Sequence, residues 1–129
     1  MKKIIFIIML LCGLFFNTHA QSPTQRMKAV HMAAVRIADR LGIEEPKRSE
    51  FINIYLAFKK ESAAVLTVKP TSTGNKEKDI EAKITSDFEK SEKILSIRKA
   101  YYKKFRTILS PSQIQTMYDM EKEFKAVKE

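Results

Sequence analysis

The sequence has few of the residues that crosslink a chain or interrupt regular structure. Among 129 residues there are one cysteine, three glycines and four prolines. The single cysteine, Cys12, excludes an internal disulfide and a multi-cysteine metal site. No segment alternates apolar and polar residues as a half-buried strand does, so no β-sheet is predicted. These absences leave helices as the expected structure.

The sequence also lacks the motifs of common catalytic and nucleotide-binding sites. It contains no Gly-rich phosphate loop and no Gly-x-Ser-x-Gly nucleophile elbow. Its carboxylate clusters, Glu44-Glu45 and Asp119/Glu121/Glu123, are typical of solvated helix surface. We therefore expect no enzymatic activity and no cofactor.

Metal binding within one copy has little support in the sequence. After the first twenty residues, His31 is the only histidine. Tetrahedral zinc requires three or four protein ligands, and a lone histidine is more often structural or exposed than a ligand. We expect no metal site within one copy, whereas a site shared between two copies stays open.

The first twenty residues have the pattern of a cleavable export signal. Met1-Lys2-Lys3 is positive, and residues 4–16 form an apolar run that is short for a membrane span. Small residues at positions 18 and 20 favour cleavage before Gln21. We predict a signal peptide at 1–20, export to the periplasm, and one helical domain at 21–129. The net charge of +9 falls to +7 without Lys2 and Lys3. Lipoprotein processing at Cys12 is the alternative, although Leu11 occupies a position where a small residue is expected.

Four helices are predicted after residue 20, because glycine and proline occur there only where helices can begin or end. The first begins at Ser22-Pro23 and ends at Gly42, the second spans about 46–68, the third about 77–109, and the fourth starts at Pro111. The fold class is therefore all-α. Apolar residues at helical spacing predict the core-facing positions. In chain order these are Met27, Val30, Ala34, Ile37, Leu41, Phe51, Tyr55, Phe58, Val65, Ile80, Ile84, Phe88, Ile94, Leu95, Tyr101, Tyr102, Phe105, Ile108, Ile114, Met117, Tyr118 and Phe124.

The length of the third predicted helix constrains the overall shape. A helix of this size is about 45–50 Å long, whereas a compact domain of about 100 residues has a radius of gyration near 13 Å. A globular monomer cannot cover such a helix. We expect an elongated four-helix α-hairpin assembly that forms a curved cradle and pairs as a dimer.

A helix start is encoded in the pentapeptide Leu109-Ser110-Pro111-Ser112-Gln113. Ser110 suits the N-cap, Pro111 the first helical position, and Gln113 the third, where its side chain can bond back to the cap. Leu109 and Ile114 have the spacing of a hydrophobic staple. The segment therefore predicts a tight corner between the third and fourth helices.

This pentapeptide also resembles the LTxxQ signature of the Spy/CpxP family of periplasmic stress proteins. Residues 36–43 look like the family's first helix running into its first LTxxQ-like turn, and residues 50–55 look like the next helix start. Residues 97–105 leading into the pentapeptide are similar to the second copy. The first copy departs from the pattern, because Ile43-Glu44-Glu45-Pro46-Lys47 lacks both the hydroxyl and the glutamine. The resemblance implies a dimeric helical cradle that acts as an ATP-independent chaperone or as an inhibitor of a stress sensor; some members bind zinc.

The candidate binding site is a basic and aromatic segment, residues 98–106, that lies before the corner. It contains no acidic residue, and Lys99, Lys103 and Arg106 form a row at helical spacing. Cations attract acidic segments from a distance, and aromatic rings hold apolar ones. For the aromatic residues taken alone, burial in the core is the favoured interpretation, whereas for the cations an electrostatic role is favoured. The candidate client-binding residues are Arg98, Lys99, Tyr101, Tyr102, Lys103, Phe105 and Arg106.

Taken with the export signal, these patterns predict a chaperone that binds unfolded or partly folded envelope proteins under stress. The alternative is a regulatory adaptor that docks on the periplasmic domain of an envelope-stress sensor, and a purely structural envelope protein is a third possibility. Export argues against nucleic acid as a partner despite the basic residues. Contact with a membrane surface stays open.

Overall fold

Four helices make up the part of the chain that the structure describes. The computed structural model describes residues 23–128, and side-chain surroundings for residues 24–125. The helices are α1 (Pro23–Leu41), α2 (Lys47–Leu66), α3 (Lys76–Arg106) and α4 (Pro111–Lys128). The all-α prediction is confirmed. The predicted signal peptide, its cleavage site and Cys12 lie outside the described residues.

The first helix ends in a glycine cap, as its sequence predicts. Gly42 has a φ of +65°, a conformation that favours glycine. Its N–H donates to the carbonyl of Asp39 at 3.2 Å, and the N–H of Ile43 donates to the carbonyl of Ala38 at 3.0 Å. This pair of bonds is a Schellman motif. Ile43 is buried in the core, and α2 begins four residues after it.

The two inner helices begin with different caps. Pro46 precedes α2 without a side-chain cap, and the carboxylate of Glu45 instead accepts from the Ser49 hydroxyl at 2.7 Å and its N–H at 3.4 Å. Asn75 caps α3 by accepting from the Lys78 N–H at 3.2 Å. The carboxylate of Asp79 accepts from the N–H and hydroxyl of Thr73, which holds the loop against the first turn of α3.

The predicted corner between α3 and α4 is present as a reciprocal capping box. The Ser110 N–H donates to Oε1 of Gln113 at 2.9 Å, and the Gln113 N–H donates to Oγ of Ser110 at 3.2 Å. Leu109 and Ile114 are both buried, as expected of a staple. Nε2 of Gln113 also donates to the carbonyl of Leu41 at 3.4 Å. This glutamine therefore links the start of α4 to the end of α1.

An aromatic cluster forms the centre of the core, close to this corner. Phe51 of α2 lies 5.8 Å from Phe105 of α3, and Phe58 lies 5.3 Å from Tyr101, measured between ring centroids. Small residues allow α1 to pack closely, and α4 completes the core with aliphatic and sulfur-containing side chains. The buried core consists of Ala34, Ile37, Ala38, Ile43, Phe51, Tyr55, Phe58, Tyr101, Phe105, Leu109, Ile114, Met117 and Met120.

The α2–α3 hairpin is unequal in length. Pairing of Phe51 with Phe105 and of Phe58 with Tyr101 sets an antiparallel register in which the end of α2 reaches only the middle of α3. Residues 76–92 therefore extend beyond α2 by about 26 Å. We call this segment the arm. The connecting loop runs beside it, with residues 68–71 facing residues 78–89 across an open crevice.

The exposed arm corrects the predicted inner face of α3. Ile80, Ile84, Phe88 and Leu95 were expected to face the core, but within the described chain they are 45–67% exposed. Tyr102 and Met27, also predicted inward, are 41% and 40% exposed. For Ile80, Ile84 and Phe88 the physical reason is that α2 ends before it reaches the arm. Leu95 and Tyr102 lie on the part of α3 that α2 accompanies, and their side chains are on a face that α2 does not cover. The dimer that would cover it stays a prediction.

The corner generates a stability prediction. Ser110→Ala removes the cap acceptor of the Gln113 N–H and should lower the free energy of unfolding by about 1 kcal/mol. Leu109→Ala should lower it by about 2–5 kcal/mol, because Leu109 is only 3% exposed. Chemical denaturation measures both. Ser112→Ala is the matched control in the same turn and should change stability by less than about 0.5 kcal/mol. Equal, small effects of all three changes would contradict the structural role of the corner.

Candidate functional site

Two of the seven predicted client-binding residues belong to the core. Phe105 is fully buried and Tyr101 is 5% exposed, because both rings face the aromatic residues of α2. The hydroxyl of Tyr101 also donates to the carboxylate of Glu61 on α2. The prediction that these two side chains contact clients is therefore wrong for this conformation. Their contribution is to fix the outer face of α3.

The predicted basic residues are exposed on that outer face. Lys99, Lys103 and Arg106 recur at spacings of four and three, so they form one row along the helix. We call these three residues the basic row. Tyr102 lies beside it and is 41% exposed. Five of the seven predicted residues thus lie at the surface, although both arginines, Arg98 and Arg106, also contact other parts of the bundle.

The two arginines make contacts that support the fold. The Arg106 guanidinium donates to the carbonyl of Leu109 at 2.9 Å and so satisfies an acceptor in the corner. The Arg98 guanidinium lies 4.9 Å from the Tyr118 ring centroid and links α3 to α4 by a cation–π contact. Lys99 and Lys103 are therefore better placed than either arginine to meet a partner.

A row of exposed apolar side chains continues from the basic row along α3. Its members are spaced by four or seven residues, which places them on one helix face. We call this row the apolar stripe: Ile80, Ile84, Phe88, Leu95 and Tyr102, at 45, 49, 67, 51 and 41% exposure. Lys99 follows Leu95 by four residues and Arg106 follows Tyr102 by four, so the two rows are adjacent. Sequence reasoning found the apolar pattern but assigned it to the core.

Charge is divided unequally between the two halves of α3. The arm, residues 76–92, has four lysines and six carboxylates, whereas residues 93–106 have six cations and no carboxylate. The cations at the C-terminal end also oppose the negative end of the helix dipole. The apolar stripe therefore crosses from an acidic half to a basic half. This division is readable in the sequence.

A partly buried polar cluster joins α2 to α4 on another side of the bundle. The Lys59 ammonium donates to the carboxylate of Glu121, to which the Tyr55 hydroxyl also donates at 3.4 Å. Lys59 additionally lies 5.2 Å from the Phe58 ring centroid. The cluster connects the second half of α4 to α2 through residues that are 62 positions apart in the sequence. Nothing in the sequence spacing indicates this pairing.

Burial shifts the titration of this cluster. Desolvation, together with the nearby cations Lys125 and Arg98, lowers the pKa of Lys59 to about 8. Desolvation raises the pKa of Tyr55 above its usual range. The hydrogen bond to Glu61, with burial, raises the pKa of Tyr101 to about 12. The lysine and the tyrosines therefore give opposite slopes of stability against pH.

These shifts predict a maximum in stability at alkaline pH. Between about pH 8 and 10 the unfolded chain retains the Lys59 proton that the folded chain releases, so the free energy of unfolding should rise. Above about pH 10, Tyr55 and Tyr101 ionise in the unfolded chain but keep their protons in the folded chain, so the free energy of unfolding should fall. Denaturant titrations at several pH values measure the profile.

The matched controls for this profile are two lysine substitutions on α2. Lys59→Met should abolish the rise between pH 8 and 9.5, whatever its effect at neutral pH. Lys60→Met changes an exposed neighbour and should preserve the rise. Parallel profiles for the wild type and Lys59→Met would show that Lys59 is not desolvated as described.

The described residues offer no metal-binding or membrane-spanning element. Among them no group of three or more histidine, cysteine or acidic side chains could hold a metal ion. No helix within this part of the chain has both the length and the apolar character needed to cross a membrane. Glu44 and Asp119 are exposed, and so is His31 on α1. The exposed face of α3 is the feature that invites a functional explanation.

No protein-family model, curated protein or solved structure matches this chain.

Proposed function

We propose that this chain is a Spy/CpxP-like periplasmic chaperone that binds unfolded or partly folded envelope proteins without ATP. The family assignment is part of the proposal. It is supported by the capping box at Ser110 and Gln113, the export-signal pattern, the helix order and the basic charge.

The observation that carries the proposal is the apolar stripe next to the basic row. Monomeric proteins seldom leave a continuous apolar surface open unless it binds something. This surface is long and narrow, with neither a deep pocket nor a catalytic cluster along it. Such a shape suits extended or partly structured segments better than a small molecule. It therefore favours a binding protein over an enzyme.

In the proposed mechanism, charged residues attract the client and apolar residues retain it. Lys99 and Lys103 attract acidic segments and raise the encounter rate, because charge complementarity acts mainly on association. Leu95 and Tyr102 then hold apolar groups of the client through reversible contacts. No step requires a nucleotide, a metal or a covalent intermediate. Clients leave when their own folding buries the groups that the stripe holds.

The proposed partners are unfolded or partly folded periplasmic proteins and a second copy of the chain. A sensor protein is the partner of the alternative adaptor function. An aggregation assay with two unrelated unfolded proteins separates the two functions. Suppression of both supports the chaperone. Inactivity toward both, together with tight binding to a single folded sensor domain, would indicate the adaptor.

The first functional prediction concerns association. Lys99→Glu with Lys103→Glu should slow capture of an acidic unfolded client by about tenfold at low salt, because steering is lost. Arg106 is kept so that its bond to Leu109 still supports the corner. Stopped-flow binding measures the rate, and salt should reduce the difference, since screening acts over about 8 Å at 0.15 M.

The matched control variant changes the net charge by the same amount at two positions outside α3. Lys47→Glu with Lys122→Glu alters exposed lysines on α2 and α4 and should leave the association rate within about twofold. Equal slowing by both pairs would attribute the effect to net charge. No slowing by either would show that the basic row is only solvated surface.

The second functional prediction concerns retention. Leu95→Ser with Tyr102→Ser removes apolar contact area and should speed client dissociation by about tenfold, while the association rate changes little. Competition with an excess of unlabelled client measures dissociation. Met32→Ser is the control, because Met32 is 58% exposed on α1, away from the stripe. Unchanged dissociation in the double variant would place client retention elsewhere.

A further inference from the structure

The outer face of α1 has a row of exposed side chains that the proposed function does not use. Lys28, Met32, Arg36 and Arg40 follow one another at intervals of four residues, so they form one row about 18 Å long. All four side chains are exposed, and Met32 is 58% exposed. We call these four residues the α1 row.

The three cations of the α1 row are not neutralised by the rest of the bundle. Among the described residues, no hydrogen bond or ion pair involves Lys28 or either arginine of the row. Asp39 is the only carboxylate in α1, and the Arg48 guanidinium of α2 binds it at 2.6 Å. Because that carboxylate is already paired, the charge of the row is left for an external anion.

A comparison with α3 indicates the shape of that anion. Glu77, Glu81, Glu92 and Lys99 are separated by four, eleven and seven residues, so three carboxylates lie on the same side of α3 as the basic row. A flat anionic surface meets a whole helix face at once, so these carboxylates would oppose its attraction to the cations. The α1 row contains no carboxylate. A flat surface therefore favours α1, whereas a flexible acidic client can select the basic row.

The residue types of the α1 row match the headgroup layer of a phospholipid bilayer. A guanidinium forms paired hydrogen bonds with a phosphate group and is weakly hydrated, so Arg36 and Arg40 suit phosphodiesters. Met32 supplies an apolar side chain between Lys28 and Arg36, which can enter the boundary between headgroups and acyl chains. We propose that the α1 row binds the phosphate headgroups of an anionic membrane surface, with α1 lying parallel to the bilayer.

Binding through α1 leaves the apolar stripe accessible. Within the described bundle, α1 and α3 each pack against α2 and α4 but are not neighbours of each other, so they lie at opposite corners. When α1 lies on the bilayer, Leu95 and Tyr102 of α3 therefore face the aqueous side. Three cations and one methionine provide only a weak attachment, so the binding is reversible.

Vesicle binding tests the proposal. The protein is expressed from its full-length sequence with Cys12→Ser, so that no acyl chain can be attached at that position. At about 0.1 M salt it should bind mixed phosphatidylglycerol–phosphatidylcholine vesicles at least about tenfold more tightly than phosphatidylcholine vesicles. At about 1 M salt the preference should disappear, because the screening length falls to about 3 Å. Equal binding to both types of vesicle at the lower salt, or binding to neither, would overturn the proposal.

Charge reversal locates the contact. Lys28→Glu with Arg36→Glu should weaken binding to the anionic vesicles by at least about tenfold, because two attractive charges become repulsive. Arg40 is kept, since it opposes the dipole at the end of α1. Lys99→Glu with Lys103→Glu is the control of equal charge change and should leave vesicle binding within about twofold, because α3 lies beyond the screening length of about 10 Å. Unchanged binding in the α1 pair, or equal weakening by both pairs, would overturn the proposal.

A fluorescent reporter tests the orientation without a change of charge. In the Cys12→Ser background, an environment-sensitive dye on Met32→Cys should emit at shorter wavelength when anionic vesicles are added. The same dye on Phe88→Cys, which is on the arm, should not respond. A response at position 88 that equals or exceeds the response at position 32 would place α3 on the bilayer and overturn the proposal.

Client capture separates this inference from the proposed function. Without vesicles, the Lys28→Glu/Arg36→Glu variant should capture an acidic unfolded client within about twofold of the wild-type rate. If it instead slows capture as much as the Lys99→Glu/Lys103→Glu variant and the wild type does not bind vesicles, the α1 row is a second client site and the membrane proposal fails. Failure of the wild type to capture any client would remove the chaperone function and leave the vesicle results unaffected.

Discussion

The difference in length between α2 and α3 is the constraint on which the rest of the structure depends. The two helices pack through Phe51, Phe58, Tyr101 and Phe105, which lie toward one end of the hairpin. From that fixed end, α2 extends for 20 residues and α3 for 31. The surplus of α3 has no helix to cover it. Core, corner and polar contacts thus gather at one end, and the arm with its exposed Ile80, Ile84 and Phe88 lies at the other.

The corner keeps the two ends of the bundle distinct. The Gln113 side chain accepts a hydrogen bond from the Ser110 N–H and donates one to the last carbonyl of α1. The Arg106 guanidinium donates to the carbonyl of Leu109. Each contact uses a group that a helix end would otherwise leave unpaired. The same few residues therefore hold three helices in register. Because α3 ends in this rigid corner, its outward face has a defined direction.

Sequence patterns predicted the elements of the fold far better than the surroundings of each element. Helix ends followed local chemistry, since Gly42 and Ser110 act within a few residues of themselves. The prediction that Ile80, Ile84 and Phe88 of α3 face the core was wrong, because periodicity identifies an apolar face but not what lies against it. That depends on the register of α2. The Lys59–Glu121 pair, 62 residues apart, was likewise invisible to local reasoning. At the candidate site the sequence identified Lys99 and Lys103 as surface residues, whereas only packing could separate Tyr102 from the buried Tyr101.

The arm also has a consequence for local stability. A helix of 17 residues with few tertiary contacts is marginal in water, since its formation rests mainly on propensity and capping. The Asn75 cap and the Asp79–Thr73 contacts hold its first turn, but little packing supports the turns that follow. Backbone amides in the arm should therefore open and exchange with solvent far more readily than those near Phe105. Anything that covers the stripe supplies the missing packing, so binding and helix formation in the arm are thermodynamically coupled.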